Sequence, residues 1–125
     1  MNIVTIQPKR IVVNLFARRS ALQVRDIIKA DISRHIVLKN LARKATTNEC
    51  TLKREFKALF KITVYQYLLQ CRMFHANNLL QTAHFKIKDI AIECGYESPS
   101  AFINSFKRYY GVSPGELRQK NSSAA

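Results

Sequence analysis

The 125-residue sequence predicts an all-α fold in which one helical unit occurs twice. Three observations support this prediction. From Ser20 onward, apolar residues recur three and four positions apart, which is the period of an amphipathic helix. Residue combinations that cap helix N-termini divide this region into separate helices. Finally, a short helix, a polar turn, a second helix and a capped exit helix follow one another in the first half of the chain and again in the second.

The helices of the first half are predicted from their caps. Ser20 followed by Gln23 has the pattern of a capping box, so a helix is expected to begin there. A short helix is expected at about 37–44, and the polar turn at 45–48 ends it. Asn48 is a preferred N-cap residue for the next helix, ECTLKREFKALF. The residues expected to be buried in that helix are Leu52, Phe56, Leu59 and Phe60.

The second half begins with a long helix. Thr63 and Gln66 form another capping box, and the helix that follows should contact neighbours on more than one side. Its apolar residues include Tyr67, Leu68, Cys71, Phe74 and Leu79. Gly95 is placed to end the next short helix, KDIAIEC, in a left-handed conformation. Two Ser-Pro pairs, at 98–99 and 113–114, each combine an N-cap with proline at the first helical position and begin the last two helices.

These elements predict five segments. Residues 20–62 form the first subdomain, 63–82 the linker helix and 83–120 the second subdomain. Residues 121–125 are a polar tail that we expect to be disordered. Residues 1–19 contain two β-branched runs separated by Pro8, and an isolated hairpin is only marginally stable in water. We therefore expect 1–19 to be a linker or the remnant of an absent N-terminal domain.

The composition indicates an anionic partner and argues against catalysis. Lys and Arg number 21 against 8 Asp and Glu, which gives a net charge of +13 and predicts binding to a polyanion. The chain has no apolar stretch of about 18 residues, the length that spans a membrane, and the pattern of its first residues is not the one expected of a secretory signal. The three cysteines are far apart and show no metal-ligand spacing with the histidines, so neither a metal nor a cofactor is expected. No set of residues for acid–base or nucleophilic catalysis occurs at a useful spacing, and we predict that the protein is not an enzyme.

The internal repeat has the plan of a helix-turn-helix motif. Leu41 corresponds to Ile90 and Leu52 to Phe102, with one extra residue in the second turn. In such a motif the second helix enters the major groove of DNA, with its apolar face inward and its donors outward. In the first unit the outward residues are Lys53, Arg54 and Lys57. In the second unit they are Ser100, Ile103, Asn104 and Lys107.

Residues 72–118 resemble the DNA-binding domain of the AraC/XylS family of transcription regulators. The matching positions are Arg72, Ala76, Leu79, Leu80, Ile87, Asp89, Ile90, Ala91, Gly95, Tyr96, Ser98, Phe102, Phe106, Lys107, Gly111, Ser113, Pro114 and Arg118. With the similar upstream half, the resemblance covers about residues 21–120. It implies seven helices, with a linker helix at about 64–80 between two helix-turn-helix units. The second helices of the units would then lie roughly 34 Å apart and read successive major grooves of an asymmetric site.

The resemblance also implies which residues face the groove and which partners bind. In the first unit they are Glu49, Cys50, Thr51, Lys53 and Arg54; in the second they are Pro99, Ser100, Ile103 and Asn104. The chain departs from the family pattern at Asn104, where Arg is common, and at Lys61 and Val64, which replace Gly and Pro. The expected function is activation of transcription in the bacterial cytoplasm, on the nucleoid. The expected partners are double-stranded DNA and RNA polymerase, with no small-molecule ligand and no membrane, and a monomer unless an absent N-terminal domain dimerises it.

Two other functions remain open at this point. A degenerate family member without base reading would act as a protein-interaction module on polymerase or on another regulator. Cys50, beside Lys53 and Arg54, would instead serve in a redox or alkyl-acceptor role. Binding to a membrane surface is disfavoured because no helix combines a wide apolar face with a uniformly basic one.

Overall fold

The computed structural model describes residues 8–82 and 84–124, and within them it contains seven α-helices and no strand. Their order is α1 (Pro8–Ala30), α2 (Leu38–Lys44), α3 (Glu49–Phe60), α4 (Val64–Leu80), α5 (Ile87–Glu93), α6 (Pro99–Tyr110) and α7 (Pro114–Ala124). The predicted all-α class with two helix-turn-helix subdomains is therefore confirmed. The helices divide into two compact units, the first formed by residues up to 30 together with 36–67, and the second by 31–35 together with the residues from 68 onward.

Helix α1 begins at Pro8, twelve positions before the predicted start, so the prediction of a capping box at Ser20 is wrong. Proline is tolerated in a first helical turn because the amide hydrogen that it lacks would have no intrahelical partner there. Ser20 lies inside the helix, where its hydroxyl is 2.8 Å from the carbonyl oxygen of Ala45 and 3.0 Å from that of Phe16. Burial of Ala17 extends the apolar stripe of α1 toward the N-terminus. This packing outweighs the weak helix propensity of β-branched residues, which costs less than about 0.7 kcal/mol per residue.

The two chain ends also differ from expectation in secondary structure. The second β-branched run, RIVVNLF, is part of α1, whereas the first, at 2–7, lies outside the described residues. Helix α7 continues to Ala124, into the segment 121–125 for which the sequence predicted a disordered tail. No glycine or proline follows Gly115, so nothing in the local sequence ends that helix. The assignment of residues 1–19 to a linker or domain remnant stays a prediction.

The first unit packs α1 against α2 and α3. Phe56 is at its centre, completely buried, with its ring centroid 4.6 Å from that of Phe60 and 5.7 Å from that of Tyr67. Leu59 and Phe60, which the sequence predicted to be buried, are only partly so. The buried apolar residues of this unit are Ala17, Ala21, Val24, Ile28, Ile36, Leu38, Leu41, Ala42, Ala45, Leu52, Phe56 and Val64.

The second unit packs α5, α6 and α7 with most of α4. Its core consists of Met73, Ala76, Leu80, Ile90, Ala91, Cys94, Phe102 and Phe106. Within α4, Met73 is fully buried and the next residue, Phe74, is 65% exposed, so Phe74 does not make the contacts expected of it. The predicted burial of Phe102 and Phe106 is confirmed. These two side chains fix which face of α6 points outward.

Candidate nucleic-acid interface

Helix α3 has a buried face and a charged outer face. Asn48 caps the helix, because its Oδ1 accepts a hydrogen bond of 2.8 Å from the amide of Thr51. Leu52 and Phe56 are 1% and 0% exposed and orient the helix. The sequence-predicted residues Glu49, Cys50, Lys53, Arg54 and Lys57 are all exposed, and Thr51 is partly buried. The three outward residues that the sequence pattern predicts, Lys53, Arg54 and Lys57, are therefore exposed. Of the further positions implied by the family resemblance, Glu49 and Cys50 are exposed and Thr51 lies at the margin of the outer face.

Two exposed cations of α3, Lys53 and Arg54, form ion pairs at the protein surface. Nζ of Lys53 lies 3.4 Å from Oε1 of Glu49, and Nε of Arg54 lies 3.5 Å from Oε1 of Glu55. The side chains of Lys53 and Arg54 are 59% and 66% exposed. Exposed pairs of this kind contribute at most about 1 kcal/mol. An incoming polyanion can therefore take over both cations at little cost in free energy.

The outer surface of α3 is shaped as a shallow open hollow. Its volume is about 750 Å³. The residues lining it are Glu49, Cys50, Lys53, Arg54, Lys57 and Ala58. The hollow thus brings five of the six first-unit site residues onto one continuous surface, and only Thr51 is absent from its lining.

Helix α6 has the same construction in the second unit. Ser98 Oγ accepts a hydrogen bond of 3.1 Å from the amide of Ala101, and Pro99 occupies the first turn. Phe102 and Phe106 are fully buried, whereas the predicted site residues Pro99, Ser100, Asn104 and Lys107 are exposed. Ile103 is not fully exposed, because part of its side chain packs against the core of the unit.

A hydrogen bond within the second unit holds the turn before α6. Oη of Tyr96 lies 2.9 Å from Oγ of Ser105, and the Tyr96 ring centroid is 5.6 Å from that of Phe102. Gly95, in the same turn, has a φ of 90°, as expected for a left-handed helix end. The turn is thereby tied to both the core and the middle of α6, which fixes the direction in which the outer face of α6 points.

The ends of the two helices also correspond. Both α3 and α6 end at a residue in the left-handed conformation, Lys61 with φ 68° and Gly111 with φ 82°. The exit helices α4 and α7 then begin directly after Thr63 and Ser113, whose hydroxyls accept hydrogen bonds of 3.1 and 3.2 Å from the amides three residues later. In the first unit, Gln66 Oε1 completes the predicted capping box by accepting from the Thr63 amide at 2.8 Å.

Two arginines of the family resemblance have structural contacts instead of an outward position. Nε of Arg72 donates a 2.8 Å hydrogen bond to the carbonyl of Ile32, and its guanidinium lies 5.4 Å from the centre of the Tyr96 ring. Nε of Arg118 donates a 3.3 Å hydrogen bond to the carbonyl of Leu80. Arg72 in α4 and Arg118 in α7 therefore stabilise the second unit and are not part of the exposed cationic faces of α3 and α6.

Other chemistry finds little support in the described part of the chain. Histidine, cysteine and acidic residues form no group there that could hold a metal ion. All three cysteines are free thiols, and burial raises the pKa of Cys94 to about 12, with a smaller contribution from the charge of Glu93. Among the described helices, none combines the length and the hydropathy needed to cross a lipid bilayer.

Comparison with known proteins agrees with this geometry. The family model described as "Helix-turn-helix domain" matches residues 41–120. The transcriptional activator RhaR of Klebsiella pneumoniae subsp. pneumoniae is 37% identical over 98 residues, which are 78% of this chain and 35% of RhaR. The chain thus spans about a third of the length of that curated relative.

Two solved structures are similar over most of the chain. A DNA-binding transcriptional dual regulator from Escherichia coli K-12 is 30% identical with a TM-score of 0.74, and the match covers 84% of this chain and 94% of that one. The DNA-binding domain of the global transcriptional factor AdpA, solved in complex with a target DNA, is 26% identical with a TM-score of 0.77. That match covers 84% of this chain and 95% of the AdpA domain.

Proposed function

Because the chain belongs to the AraC/XylS family of helix-turn-helix transcription regulators, we propose that it activates transcription by reading a bipartite DNA site in two successive major grooves. The observation that carries this proposal is the repeated construction of α3 and α6. Each helix places two large apolar residues in the core of its unit and has an exposed face that bears hydrogen-bond donors. Since the construction occurs twice, one chain reads an asymmetric site without needing a symmetric dimer.

The residues of α3 supply the first half of this reading. Arg54 donates two hydrogen bonds to O6 and N7 of a guanine, a pairing that contributes about 1–3 kcal/mol to discrimination. Lys53 reaches a base edge on the same side, and Lys57, one turn farther along, binds phosphate. Cys50 and Thr51 make short contacts beside them at the N-terminal end, where recognition helices approach the bases.

The residues of α6 supply the second half. Asn104 pairs with N6 and N7 of an adenine, and the exposed part of Ile103 contacts a thymine methyl group. Pro99 and Ser100 lie at the N-terminal end of the helix, close to the sugar–phosphate backbone. Lys107, in the last turn of α6, binds phosphate. This half is less charged than the first, so it contributes more to base selection than to affinity.

Activation and the partner are proposed from the relatives. The protein named RhaR is described as a transcriptional activator. From this relative we propose activation, and we further propose that the chain acts on chromosomal DNA in the bacterial cytoplasm, recruits RNA polymerase, and is a monomer unless an N-terminal domain dimerises it. A reporter gene placed behind the preferred site tests this step, since expression should rise when the protein is present and fall if it represses.

Selection of duplexes from a random pool, followed by competition with bulk DNA at fixed salt, tests the DNA reading. A sequence-specific protein prefers its target by about 1,000-fold or more, and footprinting should show protection in two successive major grooves. Arg54→Ala should weaken binding to the selected duplex by about 1–3 kcal/mol and relax the preference at one base pair. If no duplex is preferred over bulk DNA, base reading is absent and the chain acts as a protein-interaction module.

A further inference from the structure

The outer face of α3 contains one carboxylate among its cations. Glu49 is in the first turn of the helix and Lys53 is one turn later, with Oε1 and Nζ separated by 3.4 Å. Both side chains are about half exposed, at 47% and 59%, and both line the surface hollow of α3. The Glu49 carboxylate, an acceptor, and the Lys53 ammonium, a donor, therefore lie side by side near the N-terminal part of the helix, which is the part that contacts base edges.

Base edges in the major groove differ in whether they can meet such a pair. A carboxylate only accepts hydrogen bonds, and the donors available to it are the amino groups of cytosine and adenine. An ammonium only donates, and its preferred acceptors are O6 and N7 of guanine. In a C·G base pair the cytosine amino group and guanine O6 are themselves hydrogen-bonded, at about 2.9 Å. This spacing is close to the 3.4 Å between the charged atoms of Glu49 and Lys53. An A·T pair has a similar spacing between the adenine amino group and thymine O4, but adenine N7 would face the carboxylate with an acceptor, and thymine lacks the N7 that guanine offers to the ammonium.

We infer that Glu49 and Lys53 together read one C·G base pair, with Glu49 accepting from the cytosine amino group and Lys53 donating to the guanine. The inference rests on the proposed DNA reading and assigns Glu49 as a specificity-determining residue within it. Glu49 acts as much by exclusion as by attraction. A thymine at that position would oppose the carboxylate with its own acceptor O4, and an unpaired charge at the base edge costs affinity.

The same chemistry predicts what a neutral amide does at this position. Glutamine both donates and accepts, and its preferred partner is N6 and N7 of adenine. Glu49→Gln should therefore lose the preference for C·G at one base pair and gain acceptance of A·T there. Preferences at the other base pairs should not change, because Arg54 and the residues of α6 are untouched.

Gel-shift titration with the selected duplex and its single-base-pair variants tests this assignment. The wild-type protein should prefer C·G at one position by about tenfold or more. In Glu49→Gln this ratio should fall to about threefold or less at that position alone, and Lys53→Gln should reduce the preference at the same base pair. Circular dichroism should be unchanged in both variants, since both side chains are exposed.

Asp26→Asn is the matched control, because it removes one negative charge from another exposed side chain, which belongs to α1. It should leave every base preference unchanged. The inference is overturned if Glu49→Gln keeps the C·G preference, or if it strengthens binding to all duplexes equally, as relief of phosphate repulsion would. A wild-type protein that selects no duplex at all would instead refute the proposed DNA reading.

Discussion

Lys61 occupies a backbone conformation that a residue with a side chain adopts at a cost, and Lys61→Gly should therefore stabilise the protein. Its φ is 68° and its ψ is 5°, and its amide donates a 2.8 Å hydrogen bond to the carbonyl of Lys57 at the end of α3. Gly111 holds the equivalent position after α6, with φ 82°, ψ −7° and the same 2.8 Å hydrogen bond, to Lys107. The two units thus offer a glycine and a non-glycine residue in one backbone setting.

The expected gain follows from two opposing contributions. The left-handed conformation costs a residue with a Cβ about 1–2 kcal/mol. Glycine avoids this strain but loses about 0.5–1 kcal/mol more conformational entropy on folding. The net increase in the free energy of unfolding is then about 0.5–1 kcal/mol. Gly111→Ala should lower it by a similar amount, about 0.5–1 kcal/mol, although a Cβ there meets no atom within 4 Å, because the φ angle alone is unfavourable.

Urea unfolding followed by far-ultraviolet circular dichroism measures this effect. For an m-value of about 2 kcal/mol per molar, the Lys61→Gly midpoint should rise by roughly 0.4 M. Lys61→Ala is the control, since it removes the same charge but keeps the Cβ, and it should give no such increase. If Lys61→Ala stabilises as much as Lys61→Gly, relief of charge repulsion is the cause and the backbone argument is wrong. Repeating the measurement at about 1 M salt, where the Debye length is about 3 Å, separates the two further.

Three further predictions concern the second unit. Gly95→Ala should destabilise the protein by more than 2 kcal/mol, because its φ is 90° and a Cβ would lie 2.8 Å from the backbone of Ser33; Gly115→Ala, in open space in α7, should not lower the urea midpoint. Burial raises the pKa of Cys94 to about 12, above about 8.5 for an unfolded thiol, so its contribution is complete below pH 8.5 and falls by about 1.4 kcal/mol per pH unit above it. Cys94→Ala should therefore show a flatter loss of stability between pH 9 and 11, and parallel curves would exclude this thiol as the cause. Lys107→Ala should weaken binding to all duplexes equally and reduce the salt slope by about 1, and an unchanged slope would remove Lys107 from the interface.

The starts of helices can be predicted from the sequence where they depend only on hydrogen bonds between neighbouring residues. Asn48, Thr63, Ser98 and Ser113 each bond to an amide three positions later, so a local pattern identifies them. Ser20 has the same local pattern but a different outcome, because its hydroxyl has a carbonyl partner at Ala45, 25 positions away. A contact of that range has no signature in a short stretch of sequence. The start of α1 therefore cannot be predicted from the residues around Ser20 alone.

Burial within α4 could not be read from the sequence for a related reason. Met73 and Phe74 are adjacent and both apolar, and the helix has apolar residues around most of its circumference. Periodicity cannot choose between two such neighbours, and the larger aromatic is the exposed one, at 65%. On α3 and α6 the apolar residues are confined to one side, and there the exposed residues were predicted correctly. Thr51 and Ile103 are the exceptions: both are partly buried, since they lie at the border of the two faces.

The positive charge of the chain is distributed among residues with different tasks, and the contacts distinguish them. Arg72 donates to the carbonyl of Ile32 and lies over the Tyr96 ring, while Tyr96 bonds to Ser105 in α6. Through these contacts Arg72 supports the turn that orients α6, and this arginine is partly buried. Lys53 and Arg54 instead are themselves exposed and form ion pairs at the protein surface, which a polyanion can displace. A net charge of +13 therefore overstates the charge available for binding, and the salt dependence of DNA binding should reflect the second group of cations alone.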